Sequence, residues 1–441
     1  MQVSAVACWG EKMNSSDPCF AIERLGECRI PSPMTGVRHV PDEEKILYSS
    51  CLHEIEEYQK QGRPVPQMEV AGPRGKIYFD PSKLKAGIVT CGGLCPGLND
   101  VLRSVVLSLH HHYGVRNIYG FPYGYEGLTY RHKLTPVELS PSVVSRIHES
   151  GGSFLASSRG PQDPAEMVDT LERMSINVLF TVGGDGTLRG AQAIAEEVKK
   201  RGLKISVIGI PKTIDNDISY VEKSFGFETA CAEARRVISA GNVEAMGAKN
   251  GIGLVKLMGR DAGFIVAFST LANNDVNFCL VPEVPFSLEG LCAALRRRLD
   301  DRHHAVVVVA EGAGQELLAK IDGSDASGNK RYGDIGTYLK CEINKYFQSL
   351  GMEVNLKYID PSYTIRSLPA NAYDAAFCLL LGHNAVHAAM TGRTSMLVGN
   401  WKGEFTHLPI CAAVSQRKRL DSQGWIWRSV LSTTGQAAML V

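Results

Sequence analysis

The sequence predicts an α/β protein built on mainly parallel sheets flanked by helices. Three observations carry that expectation: short apolar runs recur, a helical periodicity follows each, and the loops between them are rich in glycine. The unit first stands out at 85–90, an apolar strand that runs into Cys91-Gly92-Gly93-Leu94-Cys95-Pro96-Gly97. A helix from about Asn99 then sets Val101, Leu102, Val105 and Leu109 on one face. The next helix opens at Asp163 and Pro164, as N-cap and first residue, with Met167 and Leu171 turned inward. The strand 178–182 leads into Gly183-Gly184-Asp185-Gly186-Thr187 and a helix that buries Ala191, Ala195 and Val198. That helix ends at Lys199-Lys200-Arg201-Gly202, cations on the negative end of the dipole and a glycine beyond. Further strands are expected at 205–210, 252–257, 278–281, 305–310 and 395–398. In such sheets ligands sit beyond the carboxyl ends of the strands, where these loops lie.

Residues 1 to about 80 differ. Pro, Gly and charge are scattered, a short amphipathic helix is expected around 43–59, and Pro64-Val65-Pro66 follows. This stretch is read as an N-terminal extension that precedes the core.

Composition narrows the class. A chain of 441 residues, 44% hydrophobic and 21% charged, is long enough for two or three domains and has the balance of a globular protein. A formal net charge of +1 argues against nucleic acid or an anionic membrane as the main partner. No apolar run is long enough to span a bilayer. The first residues lack a secretory pattern, and Glu11 and Asp17 speak against a transit peptide; the cytosol is expected, with a plastid as the second reading. The 12 cysteines show neither a disulfide framework nor zinc-like spacing. His110, His111 and His112 are consecutive, so on a helix they diverge and read as a solvated helix end.

The loops carry the chemistry. Gly183, Gly184 and Gly186 expose backbone N–H groups at a helix N-terminus, a cradle for phosphate. Asp185 would repel a bare phosphate but suits one accompanied by Mg²⁺; the alternative is a tight turn with Asp185 as its cap. Pro211-Lys212-Thr213-Ile214-Asp215-Asn216-Asp217 puts a cation and two carboxylates on what should be the neighbouring strand end. Beside a metal–phosphate loop it reads as the acceptor half of a phosphoryl-transfer site; alone it could be a solvated turn. Arg159, Arg260 and Arg366 sit in loops of small residues and suit phosphate, although taken alone each reads as a surface ion-pair partner rather than a ligand.

At these loops the sequence resembles the 6-phosphofructokinase family, from Lys83 to about Pro409. Gly-Gly-Asp-Gly-Thr at 183–187 is shared with lipid and NAD kinases, whereas Pro-Lys-Thr-Ile-Asp-Asn-Asp at 211–217 and Met-Gly-Arg at 258–260 are more specific. Val-Pro-Glu at 281–283, Ala-Glu-Gly at 310–312 and Pro-Ser-Tyr-Thr-Ile-Arg at 361–366 follow in the family's order, and Lys212 with the 363–366 segment resembles the plant-type branch. The resemblance implies two Rossmann-like lobes with the active site in the cleft between them. It divides the chain into an extension (1–82), a larger nucleotide-binding lobe (83–226 and 365–415) and a smaller sugar-phosphate lobe (227–364 and 416–441). It implies ATP-dependent phosphorylation of fructose 6-phosphate at C1, the committed step of glycolysis, by an allosteric homo-oligomer taken as a tetramer.

By resemblance, Asp215 is the general base, with Thr213 and Asp217 alongside. Asp185 holds Mg²⁺ with the nucleotide. Gly93, Arg159, Gly186, Thr187 and Lys212 meet the donor phosphates. Met258, Gly259, Arg260, Glu311, Lys357, Tyr363 and Arg366 meet the sugar phosphate, Lys357 from a neighbouring subunit. Two positions depart from the bacterial pattern: Gly251 stands where an arginine is expected, leaving Lys249 as a possible substitute, and Lys212 replaces a glycine. Lys212 is shared with pyrophosphate-using relatives, so a pyrophosphate-dependent phosphotransferase is the alternative, and an inactive regulatory subunit a further one. A dinucleotide-dependent oxidoreductase fails on Asp185 and on Pro211-Lys212, which stand where a ribose-binding acid is needed.

Overall fold

The computed structural model describes residues 19–319, 323 and 331–440. Residues 1–18, with Glu11 and Asp17, lie outside the described residues. Two sheets organise the chain. The larger has seven strands in the spatial order Glu404–Pro409, Met396–Trp401, Ser206–Pro211, Val178–Gly183, Lys85–Thr90, Asn117–Phe121, Val137–Glu138. Its pairings are parallel except at the two edges, which are antiparallel. The smaller is fully parallel, in the order Phe278–Leu280, His304–Ala310, Gly251–Leu257, Asn355–Ile359.

The central strands are buried on both faces, which is why they read as continuous apolar runs. On one face of the larger sheet, Val178, Phe180 and Ile208 pack with the helices Leu98–Tyr113 and Ala372–Met390. On the other, Leu179 and Val207 pack with Pro164–Arg173 and Asp185–Lys200, through Met167, Leu171, Leu188 and Ala191. The smaller sheet has its own core, joined by Ile365 and by Trp427 and Val430 of the helix Trp425–Thr434. The chain thus leaves the larger sheet after Pro409 and returns to the smaller one.

Several local expectations are met closely. The Asp163 side chain accepts from the Ala165 N–H and caps the helix that Pro164 opens. His110, His111 and His112 end the helix Leu98–Tyr113, closed by Gly114 at φ 73°.

The N-terminal stretch departs from its expectation. The helix placed at 43–59 is shorter, Leu52–Lys60, and buries nothing; Lys45–Leu47 is instead a strand paired with Gln67–Glu69. Nor does the stretch merely precede the core. Phe20 and Met68 are buried in it, Glu23–Arg24 pairs with Arg393–Thr394, and the Ala71 N–H donates to the Phe405 carbonyl at 2.8 Å. Strands of two or three residues carry too few periods to be legible, and the partners of Glu23–Arg24 and of Ala71 lie more than 300 residues away.

Candidate active site

Four loops meet at the carboxyl end of the larger sheet. The Gly92 N–H donates to the Ser158 carbonyl at 3.0 Å, and Ser157 Oγ donates to the Gly92 carbonyl at 2.6 Å. Lys212 Nζ donates to the Gly93 carbonyl at 2.7 Å, and the Lys212 N–H to the Gly183 carbonyl at 2.9 Å. A Cβ on Gly93 would lie 3.2 Å from Arg159 Nη2, so glycine lets this backbone approach the guanidinium. Thr187 is buried in the first turn of Asp185–Lys200, with its side chain where a Cβ on Gly183 would lie, and Gly186 is exposed beside it. The donor residues expected from sequence, Gly93, Arg159, Asp185, Gly186, Thr187 and Lys212, therefore stand around one end of one sheet.

Their electrostatics suit an anion. Burial pulls the Lys212 ammonium below its usual range, and the nearby Arg159 and Arg366 charges push the same way. Three cations that repel one another gain from a shared phosphate. Asp185 is the acidic member of this end. Its Oδ2 accepts from Arg189 Nε at 3.2 Å and lies 3.9 Å from an Arg417 nitrogen.

The acceptor loop is clamped. Thr213 Oγ1 donates to Asp217 Oδ1 at 2.6 Å, Ser224 Oγ to the Thr213 carbonyl at 2.5 Å, and the Ser224 N–H to Asn216 Oδ1 at 3.0 Å. Asp215 is turned toward the smaller sheet, where it meets the Arg260 N–H. Its Oδ1 is buried without a hydrogen-bond partner. Burial, then the Asp217 and Glu311 carboxylates, push its pKa up to about 7, against the Arg366 charge and the Arg260 N–H. An ordinary aspartate is a weak base at neutral pH; this one is shifted toward neutrality, where a general base is most effective.

From the smaller sheet come Met258, buried at the end of Gly251–Leu257, and Gly259 at φ 120°. The Glu311 N–H donates to the Leu257 carbonyl and the Gly312 N–H to the Gly259 carbonyl, both at 2.9 Å. A Cβ on Gly312 would lie 1.7 Å from the Arg260 carbonyl oxygen, so no other residue fits this crossing. Arg260 lies 3.9 Å from Glu311 and over the Tyr332 ring at 5.0 Å.

Two expected residues are not gathered in. Lys357 is exposed on Asn355–Ile359, at the edge of the smaller sheet and in register with Gly253, well back from the end at Leu257. Tyr363 is 82% exposed. The structure also explains Gly251: a Cβ there would lie 2.0 Å from the Ala245 carbonyl oxygen, so an arginine is excluded. Lys249 is exposed in the preceding turn.

Sequence reasoning missed Arg189, Arg417, Asp261 and Tyr332. Arg189 was within reach, four residues after Asp185 on the helix surface. Arg417 carried no signal, since it is more than 150 residues from both its carboxylate partners, Asp185 and Asp261.

The donor set can be tested against magnesium. Among the described residues no cluster of three His, Cys, Asp or Glu could cage an ion. A single part-exposed carboxylate at a helix N-terminus, Asp185, instead fits an ion that arrives with phosphates and keeps its water. A surface groove lined by Arg29, Tyr78, Lys83, Asn177 and Lys204 lies at the opposite, amino ends of the strands, away from this chemistry.

Known proteins resemble this chain. Residues 85–389 match the family described as Phosphofructokinase. An ATP-dependent 6-phosphofructokinase of Borreliella burgdorferi is 50% identical over 434 residues, covering 95% of this chain and 96% of the relative. The ATP-dependent 6-phosphofructokinase 5, chloroplastic, of Arabidopsis thaliana is 48% identical over 369 residues, 83% of this chain and 68% of the relative. Among solved structures, a pyrophosphate-dependent phosphofructokinase of Marinobacter aquaeolei has the same fold, with a TM-score of 0.66 at 20% identity over 80% of this chain and 91% of that one. With most of its length matched, and half its residues shared with one relative almost from end to end, the chain belongs to the phosphofructokinase family.

Proposed function

We propose that the chain transfers the γ-phosphoryl group of ATP to the C1 hydroxyl of fructose 6-phosphate, giving fructose 1,6-bisphosphate and ADP. The observation that carries this reading is Asp215, a carboxyl tuned to about 7 where the cationic end of the larger sheet meets the Arg260 loop of the smaller one. The names of the relatives supply the substrates.

In this reading, the amides around Gly93, Gly186 and Thr187 hold the donor phosphates, with Lys212 and Arg159 drawing charge from the moving group. Met258, Gly259, Arg260, Glu311 and Arg366 orient the sugar phosphate, and Thr213 with Asp217 steadies the acceptor loop. Asp215 accepts the hydroxyl proton as the oxygen attacks. Asp185 would hold Mg²⁺, which supplies charge neutralisation between the phosphates. Lys357 and Tyr363 serve a sugar phosphate bound by an adjacent subunit of a homotetramer; their exposure, away from the Asp215 cluster, supports this. Among the described residues no helix is long and apolar enough to cross a membrane. We read the cytosol as the compartment, with a plastid as the second reading.

A pyrophosphate donor is the second functional reading, kept by Lys212 and opposed by Gly186, which leaves space for the remainder of a nucleotide. A steady-state assay of the pure chain with fructose 6-phosphate and magnesium, comparing ATP with pyrophosphate, decides it. Turnover with ATP is expected; turnover with pyrophosphate alone would reverse the donor. Asp185→Ala is expected to lose more activity at limiting than at saturating magnesium, and superimposable titrations would remove Asp185 from the ion.

A further inference from the structure

The two halves of the cleft are joined by a side chain from none of these loops. Arg417 lies between the helices Ile410–Ala413 and Trp425–Thr434, where the chain returns from the larger sheet to the smaller. It forms an isolated bridge with Ile218; beside it the Lys418 N–H donates to the Asp217 carbonyl and Ser219 Oγ to the Gln416 carbonyl, both at 2.9 Å. The segment is thereby fastened to the loop that carries Asp215.

From that anchor the guanidinium reaches both ways. One nitrogen pairs with Asp261 Oδ2, and the other lies 3.9 Å from Asp185 Oδ2. Asp185 belongs to the donor end, while Asp261 directly follows Arg260. The second oxygen of Asp261 accepts from Tyr332 Oη at 2.9 Å, and the Tyr332 ring lies against Arg260. A continuous set of contacts therefore runs from the donor carboxylate, through Arg417, Asp261 and Tyr332, to Arg260 of the smaller sheet.

We propose that Arg417 is a positioning residue that latches the two half-sites and makes their ligands bind cooperatively; this rests on the phosphoryl-transfer reading above. A magnesium–nucleotide and the guanidinium compete for the same Asp185 oxygen. A sugar phosphate that draws Arg260 from the Tyr332 ring moves the residue adjoining Asp261. Either ligand loosens the latch, so the first binds against it and the second into a released cleft. Linkage makes the effect reciprocal. Because the ion pairs are partly exposed, with Arg417 at 32% and Asp185 at 31%, the coupling expected is about two- to fivefold.

The test is equilibrium binding of a magnesium complex of a non-hydrolysable ATP analogue, with and without saturating fructose 6-phosphate. In the wild type the sugar phosphate should tighten the analogue about two- to fivefold. Arg417→Ala should bind the analogue tighter than wild type in the absence of sugar phosphate, by a similar factor, and show no further gain when it is added. Arg417→Lys should keep part of the coupling. Asp261→Asn, which weakens the other end with little change of shape, should likewise lose the coupling, while the Arg417 guanidinium still competes for Asp185 and keeps the analogue from binding tighter. Wild-type coupling in both Arg417→Ala and Asp261→Asn, or weaker analogue binding by Arg417→Ala alone, would overturn the latch. A wild type that turns over ATP and fructose 6-phosphate without any coupling overturns the latch only. Absence of turnover overturns the functional reading instead.

Discussion

Two groups of carboxylates in this protein face opposite fates. Asp42 and Glu69, from the N-terminal stretch, meet three arginines and a histidine on the outer part of the larger sheet. Asp42 accepts from Arg24, Arg74 and Arg393 at 2.7, 2.9 and 2.8 Å. Glu69 accepts from Arg24 and Arg393 at 3.1 and 2.9 Å and meets His407 at 3.1 Å. Burial alone would raise both pKa values. The hydrogen bonds and charges of Arg24 and Arg393 around Asp42, and the His407 hydrogen bond with the Arg393 charge around Glu69, override it and hold both well below the usual carboxylate range. Asp215, in the cleft, has one oxygen unpartnered and two acidic neighbours, and its pKa goes the other way. Asp42 and Glu69 are met by cations, whereas Asp215, to which we assign the proton transfer, is left short of partners.

The comparison is broken most sharply at Asp215. Asp215→Asn is expected to lower kcat by roughly 10²–10⁴, with a smaller effect on KM. It should also raise the thermal midpoint at pH 8. The folded pKa of Asp215 lies above its unfolded value near ~4, so its stabilising contribution is present below ~4 and is lost as pH rises through about 7. Asparagine never ionises and escapes that loss. The wild-type kcat/KM should rise as pH rises through about 7. An Asn variant that is both active and no more stable would remove the contrast.

At the paired end, Arg393 is 1% exposed and touches both carboxylates. Arg393→Met should cost about 3–5 kcal/mol, because it leaves two acids without their shared buried cation. Denaturant unfolding monitored by fluorescence reads this, while the folded variant keeps wild-type kcat. An unchanged midpoint would mean that Arg24 and Arg74 suffice.

Adding a carboxylate to the donor end sharpens the same point. Gly186→Asp is expected to lose at least tenfold in activity with ATP. A charge at ~4 Å from an α-phosphate repels it by roughly 1 kcal/mol in water and about 4 at a partly shielded site. Parallel assays with ATP and pyrophosphate check it, and full ATP activity would show that this position does not govern the donor.

A last effect is on acid stability. Burial lowers the pKa of His387 to about 3 and of His407 to about 4, so both are neutral in the fold. Stability should therefore fall as pH drops from ~6.5 toward ~4, by at most about 1.4 kcal/mol per pH unit for each group. Asp42 and Glu69 add their loss only below ~4. Thermal midpoints between pH 7 and 4.5 measure the first regime; a flat profile would place both rings in contact with water.

The site was legible where local rules apply and illegible where partners come from afar. Gly183, Gly184 and Asp185 announce a strand-to-helix turn because the turn needs them within a few residues. Asp163-Pro164 announces a helix start for the same reason. Arg417 is ordinary in its own neighbourhood, in a short basic run after Gln416, and becomes a bridge only when two lobes close around it. Lys357 was assigned by resemblance alone, and its exposed edge strand shows why no local pattern marks it.

By itself, then, the sequence determined the alternation of buried strands and amphipathic helices, the glycines at their junctions and the acceptor motif at 211–217. These depend on periodicity and on backbone conformations that few residues tolerate. Tertiary structure alone decided that residues 19–82 join the core, that Asp42 and Glu69 are neutralised by arginines more distant in the chain, and that Asp215 lies between Asp217 and Glu311 with its pKa near neutrality. A pKa is set by burial and by charges within a few ångströms, and folding chooses those neighbours without regard to their separation along the chain.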